Sequence, residues 1–249
     1  MKIYVVGMGP GDIQKMTPEA LAAISDSQAV AGYTVYIDLL KEGLGAEMDQ
    51  KKILVTPMKK EVDRCKMALD EALTGKTVSL VCSGDAGVYG MAGLMYQVAE
   101  EYDKKHQVEI QVVPGITAAI SGAAVLGAPL IHDFAVISLS DLLTPWELIE
   151  KRLRCAGEGD FSICIYNPSS KKRYDYLQKA CDILLESRKE DNACGIVRNI
   201  GRQGENAKVM TLKELRNTET DMFTTVFIGN SNTKIVGDKL VTPRGYKGI

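Results

Sequence analysis

Four short stretches carry residue types that could build a ligand site: "VGMGPGD" at 6–12, "SGDAGVYG" at 83–90, "VVPGITAA" at 112–119 and "YNPSS" at 166–170. Each follows an apolar, β-branched run and is rich in glycine, serine, proline and alanine. Small residues at a strand end let a ligand approach the backbone closely, and ligands in open α/β sheets bind outside the carboxyl ends of the strands. Asp85, between Gly84 and Gly87, adds a carboxylate that can accept hydrogen bonds from an ammonium or a hydroxyl group. Any one of these loops alone reads as a turn. Four in one chain predict a ligand cleft.

The nucleotide readings of these loops fail on spacing. A dinucleotide fingerprint needs GxGxxG with a helix starting inside it, so that the helix N-terminus meets the pyrophosphate. Gly7 and Gly9 fit, but Asp12 stands at the third position and the first helix start falls later, at Thr17 and Pro18. Pro10 also removes a backbone donor. The "TGKT" at 74–77 resembles the end of a P-loop, but Asp70 occupies the first glycine position and a strand follows instead of preceding. Gly75 reads better as a helix C-cap.

The elements that must position these loops alternate between short β-branched runs and longer helical periods, the pattern of an α/β fold with largely parallel pairing. Predicted strands are 2–6, 29–36, 77–82, 108–113, 134–138, 161–166, 193–198 and 223–228. Predicted helices are 18–25, 59–74, 88–103, 145–155 and 171–186, with Thr17 as an N-cap before Pro18 and Thr211 and Glu214 forming a capping box. The chain of 249 residues, 45% hydrophobic, has material for two domains. The boundary falls near 122–130, giving residues 1–124 and 125–249.

Composition removes several function classes. A net charge of −2 and a pI of about 5.8 offer no global attraction for nucleic acid or an anionic membrane. No apolar run approaches the ~20 residues of a membrane span, and glycine and proline interrupt the N-terminus where a signal peptide would be apolar. The six cysteines form no CxxC, so a metal clip or disulfide framework is not expected. Cys82, Cys164 and Cys194 read as small core residues. The expectation is a reduced, cytoplasmic protein without a metal site.

Taken together, "VGMGPGD", "SGDAGVYG", "VVPGITAA", "YNPSS" and "FIGNS" resemble the tetrapyrrole methylases, the superfamily that holds the S-adenosylmethionine-dependent enzymes of cobalamin and sirohaem synthesis. More narrowly, "HDFAVISLSDLLTPW" (132–146), "VRNIGRQGE" (197–205) and "TTVFIGNS" (224–231) resemble its C17-methyltransferase branch, which acts on precorrin-3B or cobalt-factor III and contracts the ring. The resemblance implies two α/β domains with a cofactor cleft between them and a homodimer. It implies S-adenosylmethionine as cofactor and an anionic tetrapyrrole as substrate. By motif, Pro10 would line the cleft, while Ser83, Gly84, Asp85 and Val88 would hold the methionine end. Thr117 and Ala118 would touch the same ligand, and Tyr166, Asn167, Ile200 and Thr225 would bound the adenosine. Ala86 departs from the proline that the family often carries after the loop aspartate.

For the ring contraction, His132, Ser138 and Asp141 are the polar candidates for an acid or base; Ser140 stands beside them, and His106 reads as surface. The acid side chains of a tetrapyrrole call for paired cations. Arg198 and Arg202, flanking Gly201 at a strand end, are the substrate-binding candidates. Lys59 and Lys60, Arg152 and Arg154, and Lys171 to Arg173 are further basic groups, of which the last two read as solvated helix faces. A methylase of another ring position and a non-catalytic binding module are the alternatives.

Overall fold

A computed structural model describes residues 1–247 and divides into two compact units, Met1–Ala118 and Ala119–Ile249. The first unit runs β1 (Lys2–Gly7), α1 (Pro18–Asp26), β2 (Ala29–Tyr33), α2 (Thr34–Leu44), α3 (Ala46–Asp49), β3 (Lys52–Thr56), α4 (Glu61–Leu73), β4 (Thr77–Cys82), α5 (Ala92–Tyr102) and β5 (Glu109–Val113). Its five strands are all parallel, in the order β3-β2-β4-β1-β5. Parallel sheets are covered on both faces, which is why the three central strands β2, β4 and β1 are largely apolar and buried, while the edge strands β3 and β5 carry exposed residues. Ile3, Val5, Val78 and Leu80 pack against Leu69 of α4 and Met95 of α5. Val6, Val30 and Val81 point the other way, against Ile24 of α1 and Ile37 and Leu40 of α2.

Local chemistry sets the helix ends. The Thr17 hydroxyl accepts from the Ala20 N–H at 3.1 Å, with Pro18 at the first helical position. Gly75, just past α4, has φ of 99°, a conformation that favours glycine. Residues 34–36, predicted as the end of a strand, open α2, because burying Ile37 and Leu40 overrides the β-propensity of Val35 and Tyr36. Strand β3, at the edge of the sheet, has no counterpart among the expected strands. Helix α5 starts at Ala92 instead of 88, because Tyr89 adopts φ of 53° and keeps the 83–90 loop open.

The second unit takes in α6 (Ala118–Leu126), β6 (Gly127–Ala128), β7 (Phe134–Ser138), α7 (Trp146–Glu158), β8 (Ser162–Tyr166), α8 (Tyr176–Leu184), β9 (Ala193–Arg198), β10 (Asn206–Thr211), α9 (Leu212–Arg216), β11 (Thr224–Ile228), β12 (Lys234–Val236) and β13 (Lys239–Val241). Its main sheet has the order β10-β9-β11-β8-β7. Only β7 and β8 pair in parallel within it; β8–β11, β11–β9 and β9–β10 are antiparallel. The largely parallel expectation therefore holds for the first unit and not for the second. The physical reason is the turn at 199–205, where Asn199, Gly201 and Gly204 take positive φ and fold β10 straight back on β9. Helices α7, α8 and α9 bury Ile149, Leu153, Leu184 and Leu215 against one face. On α6, a Cβ at Gly122 would stand 2.8 Å from the Phe227 ring, so only glycine lets the helix lie this close to the sheet.

Cys82, Cys164 and Cys194 are core residues, as expected, and Cys65 and Cys181 join them. Burial pushes the Cys82 thiol up to about 11 and those of Cys65 and Cys181 up to about 12. Such thiols are inert. Among the described residues, no helix is long and apolar enough to cross a membrane, and no group of three or more His, Cys, Asp or Glu side chains could hold a metal ion.

Candidate functional site

In the first unit, the three glycine-rich loops leave the adjacent strands β4, β1 and β5 at their carboxyl ends. They interlock through backbone. Gly9 and Gly84 form a two-residue antiparallel bridge, each N–H donating to the other's carbonyl at 2.9 and 2.8 Å. Gly7 and Gly115 fit so closely that a Cβ on Gly7 would stand 2.6 Å from the Gly115 nitrogen. Asp85 ties the assembly together: its Oδ1 accepts from the N–H groups of Gly87 (2.8 Å) and Val88 (3.1 Å), and its Oδ2 from Gly115 (2.9 Å).

This arrangement decides which ligands the loops can hold. The amides of Gly9, Gly84, Gly87, Val88 and Gly115 are all donated internally. A phosphate needs such amides free and converging, so these loops are not a phosphate cradle. They present the small, uncharged Ser83, Gly84, Thr117 and Ala118, all half-buried, beside the exposed Tyr89 and Ile116, and Pro10 is buried. With those amides spent, the loops suit a compact ligand that brings no phosphate. Asp85 itself is a staple for the loops first, a role that sequence could not reveal because Gly115 lies thirty positions away.

In the second unit, the corresponding end of the main sheet gathers Ser138, Tyr166 and Arg198, the last residues of β7, β8 and β9. The Tyr166 hydroxyl accepts from the Ala119 N–H at 2.7 Å. Asn167, in left-handed conformation with φ of 52°, donates through Nδ2 to the Ser138 hydroxyl at 2.9 Å. Beside them, Arg173 donates through Nη1 to the Ser140 hydroxyl (2.8 Å) and to Asp141 Oδ1 (3.2 Å), while the Tyr176 hydroxyl donates to Asp141 Oδ2 (2.7 Å). The Tyr176 bond, with the Arg173 guanidinium, holds the Asp141 carboxyl below its usual range. The same bond raises the Tyr176 phenol. This chemistry fixes a carboxylate; it does not poise one for proton transfer.

The other predicted residues divide. Ile200 and Thr225 are buried at the same sheet end. Arg198 is exposed and pairs with Asp221 at 2.8 Å, and Arg202 is half-buried in the 199–205 turn. His132 and His106 are exposed. Arg154 pairs with Glu186 on the surface, as a solvated helix face should. Lys171 to Arg173 are a correction, because α8 begins only at Tyr176 and these residues lie in the loop before it. A groove of about 480 Å³ near Asp160, Arg188 and Asn192 lies at the opposite end of this sheet, where β9 begins. There the Arg188 guanidinium closes on Asp160 and on the carbonyls of Ala156 and Phe161, so the groove is not this site.

A parallel-sheet unit with side-chain-poor loops and a mixed-sheet unit with a polar strand end have clear counterparts. Residues 2–216 match the Tetrapyrrole (Corrin/Porphyrin) Methylases, and the chain belongs to that family. It is 43% identical to the probable cobalt-factor III C(17)-methyltransferase of Salmonella typhimurium, over 98% of this chain and 99% of that protein. It is 45% identical to the cobalt-factor III methyltransferase of Priestia megaterium over 99% of its length, but spans only 45% of that longer protein. The crystal structure of the methyltransferase CobJ superposes with a TM-score of 0.88 at 36% identity, covering 97% of this chain and 99% of that one.

Proposed function

We propose that the protein is a C17-methyltransferase of precorrin-3B or cobalt-factor III, using S-adenosylmethionine and leading to ring contraction, in cobalamin synthesis. The observation that carries the cofactor reading is the internal use of the loop amides around Asp85, which disfavours phosphate-bearing cofactors. Bound there, S-adenosylmethionine supplies an electrophilic methyl group on a sulfonium. In-line displacement at that methyl depends mainly on orientation, which is worth roughly 7–11 kcal/mol in well-placed reactants. Rigid loops locked by backbone contacts suit that task.

In this reading Ser83, Gly84, Asp85, Val88, Thr117 and Ala118 hold the methionine part, with Pro10 behind them. Tyr166, Asn167, Ile200 and Thr225 bound the adenosine, and Arg198 and Arg202 meet substrate carboxylates. His132 and Ser138 stay as candidates for the ring-contraction step, Ser138 being engaged by Asn167, while Asp141, held as a fixed carboxylate by Arg173 and Tyr176, is set aside as its acid or base. A homodimer in the cytoplasm accompanies the reading on the family resemblance. The test is turnover. Incubation with S-adenosylmethionine and either cobalt-factor III or metal-free precorrin-3B is expected to yield S-adenosylhomocysteine and a product heavier by one methyl group. Cofactor binding without S-adenosylhomocysteine would identify a binding module instead, and a methyl at another ring carbon a different methylase.

A further inference from the structure

Arg173 has an arrangement that loop packing alone does not require. A guanidinium carries five N–H donors in a rigid fork. Here Nε donates to the Ser170 hydroxyl at 3.2 Å, and Nη1 donates to Ser140 and Asp141. Nη2 has no partner among the described residues, although the side chain is only 15% exposed. Both serine hydroxyls accept from the guanidinium and so keep their own protons to donate. The Arg173 and Ser170 backbones also bond to each other, N–H to carbonyl in both directions, which fixes the base of the side chain. Asp141 engages one edge of the fork and is itself held by Tyr176, whose ring packs 4.5 Å from that of Trp146. The result is a half-buried cation, fixed on one side and open on the other, at the strand ends where α/β sheets take ligands.

We propose that Arg173 is a carboxylate-binding residue for the acid side chains of the tetrapyrrole, with Ser140 and Ser170 as accompanying donors and Asp141 and Tyr176 as positioning residues. The inference rests on the tetrapyrrole reading above. A preset guanidinium with an open N–H edge matches a carboxylate and loses little side-chain freedom on binding it. Asp141 holds one edge without closing the other, so it orients the cation and does not satisfy it.

The test uses the full chain and cobalt-factor III, with Trp146 as reporter, because it is the single tryptophan and lies against Tyr176. Its fluorescence is followed as the ring is added in the presence of saturating S-adenosylhomocysteine. Arg173→Ala is expected to weaken ring binding roughly ten- to a hundredfold, the loss of one charged hydrogen-bonded contact. It should also flatten the salt dependence of binding, raise KM more than it lowers kcat, and leave S-adenosylhomocysteine affinity unchanged. Arg173→Lys should recover part of the loss, because the charge returns without the fork. A purely structural arginine would instead lower the melting temperature and cofactor affinity together. That result, or unchanged ring binding in Arg173→Ala, overturns the inference alone. A wild-type protein that binds S-adenosylhomocysteine but not the ring overturns the tetrapyrrole reading and this inference with it.

Discussion

Replacing Gly115 by alanine tests whether the three loops of the first unit act as one piece. A Cβ at Gly115 would stand 2.5 Å from the Gly7 carbonyl oxygen and 2.6 Å from its carbon, and nearer still to the Gly84 carbonyl oxygen. All three are backbone atoms of neighbouring loops, so no side chain can swing aside. Ordinary contact requires the loops to part by roughly 1 Å. The Gly115 N–H to Asp85 Oδ2 bond, 2.9 Å in the structure, then leaves hydrogen-bonding range. Overpacking of this kind costs about 1–3 kcal/mol, and the lost charged hydrogen bond about 1.5–3 more. The sum, about 2.5–6 kcal/mol, corresponds to a fall in melting temperature on the order of 10 °C for a chain of this size. The control is Gly93→Ala in α5, where a Cβ meets nothing within 4 Å and alanine should stabilise by up to ~1 kcal/mol. Differential scanning calorimetry and titration with S-adenosylhomocysteine are run on both variants. A Gly115→Ala protein with wild-type melting and wild-type affinity would refute the interlocked-loop account and the cofactor site built on it.

Other outcomes follow from the same geometry. Asp85→Asn keeps an oxygen for Gly87 and Val88 but turns an amide donor on the Gly115 N–H, or the reverse; S-adenosylhomocysteine binding should weaken roughly ten- to a hundredfold, and an unchanged dissociation constant would remove these loops from the cofactor site. Arg202→Ala should raise KM for the tetrapyrrole more than Lys172→Ala, since Arg202 is half-buried at a strand end while Lys172 is exposed; steady-state kinetics with equal or reversed effects would remove Arg202. Glu71, bonded by both Lys52 and Lys76, holds its carboxyl below the ordinary 4.5 through those two bonds. A depressed pKa contributes stability above the unfolded value and loses it as pH falls through the folded one. Melting curves of Glu71→Gln and wild type should therefore differ most near neutral pH and converge below pH 4.5; a gap that widens in acid would contradict the pairing.

How far the fold could be read from residues alone depended on whether the deciding contacts were local. Strands β4 and β9 fall at their predicted bounds, and the Thr17 cap and the Thr211–Glu214 capping box form as expected, because those features depend on neighbours a few residues away. Strand β10 was missed because it is an edge strand that pairs only with β9, so Asn206, Ala207 and Lys208 are exposed and carry no apolar pattern. Helix α8 begins at Tyr176, later than the expected 171, because Arg173 folds back on Ser170 instead of joining the helix. In the site, the glycine loops were legible as composition at strand ends. The Asp85 staple and the Arg173–Asp141–Tyr176 group were not, since their partners meet across thirty or more positions.

The knitting of Gly7, Gly9, Gly84 and Gly115 also bears on how this protein could change. A methyl group on Gly7 or Gly115 strikes backbone, and Gly9 and Gly84 hold positive φ, so point substitution has almost no room to retune that surface. The strand end of the second unit is built from side chains, among them Ser138, Ser140, Asn167, Arg173 and Tyr176, each replaceable one atom at a time. Novel ligand preferences would therefore arise by rewriting the second unit, while the first stays a nearly immutable socket.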